Sequence, residues 1–98
     1  MYLDELASAV RESLPAKVDV PEDSDRLFLL YALLVRTCGP RTSARDVHDA
    51  WSVWMIDRDP GHESLVPFED LSPEVQSEDL PFLQAIHDVA LRRNGDHD

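Results

Sequence analysis

Between Pro21 and Gly39 the chain carries an apolar surface too wide for a helix that meets only one neighbour. Leu27, Leu30, Tyr31, Leu34 and Cys38 recur at the spacing of one helical face, and Phe28 and Val35 widen it. A stripe of that breadth has to be covered from two sides. It predicts the central helix of a small all-α bundle, running from about Asp23 to Cys38. Gly39 and Pro40 then stop it, the glycine by accepting a left-handed cap and the proline by refusing to continue.

The rest of the chain repeats the helical period in shorter pieces. Leu3, Leu6, Ala7, Val10 and Leu14 predict a first helix over about Tyr2 to Leu14, ended by Pro15. Val18, Asp19 and Val20 read as an extended connector, and the acids Glu22, Asp23 and Asp25 suit the start of the central helix, where free amides favour negative charge. Thr42 or Ser43 can cap a third helix, in which Val47, Ala50, Trp51, Trp54 and Met55 form an amphipathic stripe; His48, Asp49 and Ser52 fall mainly on its other face. Ser72-Pro73-Glu74 marks a short helix, and Asp79 with Pro81 opens a last one lined by Phe82, Leu83, Ile86, Val89 and Ala90. Alternating β-branched runs are absent, which argues against a sheet. The expected architecture is one domain over residues 1–94, a bundle of four to five helices, with residues 95–98 as a frayed tail.

Between the third helix and the C-terminal pair lies the segment from Asp57 to Leu71. It has no period of its own and contains Pro60, Gly61 and Pro67, so it reads as a long ordered loop of the kind that is functional or self-packed. Its apolar residues Leu65, Val66, Phe68 and Leu71 need a surface, and the tryptophan stripe is the nearest candidate. A loop folded across aromatics can leave a slot, whose expected walls are His48, Trp51, His62 and Phe68.

Charge narrows the partners. The 98 residues carry a formal net charge of −11, and Arg58 is the only base between Asp46 and Asp88. Such a field repels phosphate backbones and anionic lipid surfaces, so direct nucleic-acid or membrane binding is disfavoured; the acids read either as a solvated surface that keeps a small protein soluble or as a face that steers it to a basic protein partner. The same acids admit a second use, imitation of nucleic acid by carboxylates from Asp57 to Asp79 arrayed on one face. The first residues, MYLDELASAV, bring acids where a secretory signal needs bases, and no stretch approaches the roughly 20 apolar residues of a membrane span. With Cys38 the only cysteine and placed in an apolar run, a buried structural thiol and a reducing, cytoplasmic setting are expected.

Signatures of catalysis are missing. Ser64 sits near His62 without a glycine-flanked nucleophile turn, and no glycine-rich loop precedes a lysine to cradle phosphate. Adjacent residues on a helix point about 100° apart, so His48-Asp49 does not make a chelate alone, and no metal or cofactor is expected. The expectation is a protein that is not an enzyme.

His48-Asp49, Trp51, His62, Leu65, Val66-Pro67-Phe68, Leu71 and the later Asp79 follow an order that resembles the ryanodine-receptor repeat, over about half the chain. The family's glycine-tryptophan-aromatic-glycine segment is lacking, and Glu63 stands where a proline is usual. The pattern Trp51, Trp54, Met55 with Ser64 to Phe68 also resembles small proteins of actinobacteria and their phages. The resemblance implies a binding module, with nucleotide-derived ligands as one possible class. The leading expectation is a non-enzymatic acidic module that binds another protein, such as a phage or host regulatory factor. A small-ligand domain and a nucleic-acid mimic are the alternatives.

Overall fold

The computed structural model describes residues 1–95 and is all-α: α1 (Tyr2–Glu12), α2 (Asp25–Thr37), α3 (Ala44–Arg58), α4 (Pro73–Ser77) and α5 (Leu80–Gly95). Short 3-10 turns at Gly39–Arg41 and Phe68–Asp70 complete it. Gly95 closes α5, where a frayed tail was expected from that residue on; the rest of that tail, 96–98, lies outside the described residues.

Turn chemistry fixes the ends. Gly39 has φ +56°, the left-handed conformation that lets the chain leave α2. Thr42 is buried and its hydroxyl donates to the Gly39 carbonyl at 2.8 Å, so it completes that turn and leaves the next cap to Ser43. Ser43 makes a full capping box: its Oγ accepts the Asp46 N–H at 3.2 Å, and the Asp46 carboxylate accepts the Ser43 N–H at 2.9 Å. Ser72 caps α4 by accepting the Val75 N–H at 3.3 Å, with Pro73 in the first turn.

As its broad stripe requires, α2 is the centre, packed on α1, α3 and α5. Leu27, Phe28, Tyr31, Ala32 and Val35 are buried there against Val10 of α1, Val47 and Trp54 of α3, and Ala85, Ile86 and Val89 of α5. Phe28 and Tyr31 meet edge to face with centroids 5.6 Å apart, and Tyr31 lies 5.6 Å from Phe82 of α5, so aromatic rings join two helices at one end of the core. Burial of such side chains removes about 1.5–3 kcal/mol worth of apolar surface each from water, which is what holds the short helices together.

Two expectations change. Cys38 follows the last residue of α2 and is half-buried, because the chain turns away there before the stripe reaches the core centre. His48, placed on the outer face of its helix by polarity, is only 3% exposed.

Candidate functional site

The long loop is held to α3 by polar pairing. His48 Nε2 lies 2.7 Å from the Val66 carbonyl, and because a carbonyl only accepts, Nε2 carries the proton. This bond satisfies a buried imidazole and fixes the loop at its midpoint. Arg45 of α3 pairs with Glu69 farther along, and the Gln76 amide donates to the Phe68 and Leu71 carbonyls at 3.0 and 3.1 Å. Leu71 is the loop's buried apolar residue; Leu65 and Phe68 are half-buried and Val66 is exposed.

Histidines supply the ring neighbours of Trp51, and Phe68 stands against the His48 ring instead. His48 stacks on it with centroids 5.5 Å apart and 20° between planes, and His62 meets it nearly perpendicularly at 5.1 Å. Within the loop the Ser64 N–H donates to His62 Nδ1 at 3.0 Å. A ring nitrogen that accepts holds no proton, so in this geometry Nδ1 is the acceptor and Nε2 the donor of the ring. Trp54, one turn on, is buried under the Arg58 guanidinium at 4.3 Å and borders a separate groove.

These contacts leave a cavity of about 510 Å³ at the meeting point of the α1–α2 connector, α2, α3, the loop and the start of α5. Three of the four sequence-predicted residues, His48, Trp51 and His62, line it. Phe68 does not; it stands 6.2 Å from the His48 ring, behind the wall and not in it. Tyr31, Phe82, Leu27 and Pro81 add apolar surface, while Asp19, Glu78 and Asp79 bring carboxylates; among the described residues no lysine or arginine lines the space.

Asp79 is the residue that sequence reasoning placed correctly but understood incompletely. Its backbone carbonyl accepts the Leu83 N–H at 3.0 Å and so opens α5. Its carboxylate lines the cavity and, among the described residues, accepts no hydrogen bond. Burial pushes the carboxyl up to about 6, with His48 nearby pulling the other way and Glu78 adding to the rise. Burial, reinforced by Asp79, likewise pushes the Tyr31 phenol well above the usual tyrosine range, so that hydroxyl stays protonated. The signal for both was present: a hydroxyl on an otherwise hydrocarbon stripe, and a Glu-Asp pair at the mouth of an apolar helix.

Three other acids of the loop region stand in different surroundings. Asp57 borders a separate groove with Leu30, Leu33 and Trp54, Asp59 accepts the Gly61 N–H, and Glu69 is paired with Arg45. Among the described residues no three histidine, cysteine or acidic side chains gather to hold a metal, and no helix is long and apolar enough to cross a membrane.

Residues 1–91 match a family model described as a domain of unknown function, DUF7701. No curated protein and no solved structure matches the chain.

Proposed function

The chain belongs to the DUF7701 family, and from that premise we propose that it is a non-enzymatic interaction module that docks a basic protein partner at the mouth of the cavity between α3, the loop and α5. One observation carries the reading: an aromatic-walled cavity whose charged lining is acidic, in a chain of net charge −11. Long-range attraction brings a basic surface to the molecule, and the cavity gives that encounter a defined place to end. A cytoplasmic setting suits a partner of this kind and an unpaired Cys38.

The nucleotide-derived alternative is less well supported. Phosphates need cations, and of the three arginines near in sequence Arg45 pairs with Glu69 and Arg58 lies over Trp54 and donates to the Glu22 and Asp23 carbonyls, which leaves Arg41 alone. Mimicry of nucleic acid needs a patterned acidic face, and two of the loop acids, Asp59 and Glu69, are already engaged locally.

Affinity capture with immobilised chain, at low and at physiological salt, tests the proposal. A specific basic partner should be retained better at low salt and released by the Glu78→Gln/Asp79→Asn double variant. Recovery of no specific partner at either salt, or of one that the variant holds equally well, would refute it.

A further inference from the structure

We propose that the group seated in this cavity is an organic cation, an alkylammonium or guanidinium, clasped by the Asp79 carboxylate against the rings of Tyr31, Trp51 and Phe82. The inference rests on the docking reading above and names the chemistry that enters. The three rings come from three helices, α2, α3 and α5, and converge on one space. An aromatic face is negative at its centre and attracts a cation, and it does so most strongly where water is partly displaced. A neutral hydrocarbon would satisfy the rings and leave the Asp79 oxygens without a donor; an anion would meet Asp79, Glu78 and Asp19. A cation with N–H donors and a short apolar stem answers both halves of the lining, and its charge answers the carboxylate more strongly than a neutral donor does.

The polar remainder agrees. His62 Nδ1 is occupied by the Ser64 N–H, so that nitrogen offers the Asp79 carboxylate no donor in this geometry. His48 spends its Nε2 proton on the Val66 carbonyl and presents its ring as wall. The Tyr31 hydroxyl, kept protonated, retains lone pairs that accept from an ammonium or guanidinium N–H. A carboxylate whose charge is raised in energy by burial is stabilised by the arrival of a cation, which couples binding to ionisation of Asp79.

Such a cation can be a lysine or arginine side chain of the partner or a free amine, and the test separates them. The two tryptophans make an internal control, since Trp51 lines this cavity and Trp54 lines a separate groove. Indole N–H resonances of the folded chain are followed at pH 7.5 during titration with n-butylammonium, n-butylguanidinium, n-butanol and butyrate, and with a lysine-rich peptide. The cations should shift Trp51 saturably and leave Trp54 in place, while the alcohol and the acid do neither. Asp79→Asn should weaken the cations about tenfold, as loss of a charge-assisted contact does, and Asp79→Glu should restore part of it. Saturation by n-butanol at equal concentration, an unchanged affinity in Asp79→Asn, or a silent Trp51 would overturn the inference. Peptide binding with Trp51 silent would retain the docking reading and remove the cation from the cavity. Saturation by n-butylammonium with the peptide no tighter than the free amine would do the reverse. Melting of each variant is checked first, and Glu78→Gln serves as a second charge-removing variant if Asp79→Asn does not fold.

Discussion

The Nε2–H of His48 donates to the Val66 carbonyl at 2.7 Å across 18 residues of sequence, inside a site where the imidazole is only 3% exposed. This bond ties to α3 the same loop whose His62 lies against Trp51. Removing it leaves a carbonyl without its donor and a void beside Trp51. His48→Ala should therefore cost about 1–3 kcal/mol in urea denaturation. Amides from His62 to Leu71 should lose hydrogen-exchange protection before the rest of the chain. Unchanged exchange in the loop would show that Arg45–Glu69 and Gln76 hold it without His48.

The two tryptophans should differ although they share a helical stripe. Trp54 is buried under Arg58 and against the core, so Trp54→Ala should cost about 3–5 kcal/mol. Trp51 is half-buried, with histidines as its aromatic neighbours, and its removal enlarges a space already open to solvent. About 1–2 kcal/mol is expected for Trp51→Ala, below the range for a closed core site. Urea midpoints with equal slopes decide it; equal costs would make Trp51 a core residue and not a wall.

The contrast between these tryptophans shows where periodicity stops informing. Spacing reports which side of a helix is apolar, and Val47, Ala50 and Trp54 are buried as their positions require. It does not report that a polar ring can be buried once a carbonyl far along the chain meets it, which is why His48 reads as an outward residue. The breadth of the α2 stripe made the central helix legible, and Ser43 and Ser72 made two helix starts legible through their own hydrogen bonds. The cavity was legible only in part. His48, Trp51 and His62 are local to α3 and the loop, whereas Asp19, Tyr31, Phe82 and Asp79 arrive from other elements through packing that no short-range pattern encodes.

Helix start chemistry gives a separate test. Ser43 and Asp46 exchange hydrogen bonds at the first turn of α3, while the neighbouring Thr42 hydroxyl serves the Gly39 turn. Ser43→Ala removes the hydroxyl acceptor and should cost about 1 kcal/mol, whereas Ser43→Asp, which restores an acceptor, should cost only a few tenths. Circular dichroism melts compare the two; equal losses would mean that the Asp46 half of the box carries the cap alone.

Asp79 should make stability depend on pH in the direction opposite to an ion-paired carboxylate. Its ordinary value of 3.8 describes the unfolded chain, and burial pushes it up to about 6 in the fold, against the pull of His48 and with help from Glu78. Tyr31 also faces it, and Asp19 and His62 share its cavity. Between those values the folded state holds a proton that the unfolded state has released, so stability falls as pH rises through the window and the loss is complete above about 6. Solvent still reaches the group, which discounts the full shift to a loss of about 1–2 kcal/mol. Asp79→Asn cannot ionise there. The variant should match the parent near pH 4 and exceed it by that amount near pH 7.5, with urea midpoints measured at both. The difference between parent and variant isolates Asp79 from other groups, including Glu69, whose own backbone N–H and Arg45 hold its carboxyl below the usual range. A parent-to-variant difference that is the same at both pH values would show that Asp79 is ionised normally in the fold, and the buried-carboxylate account of the cavity would fall.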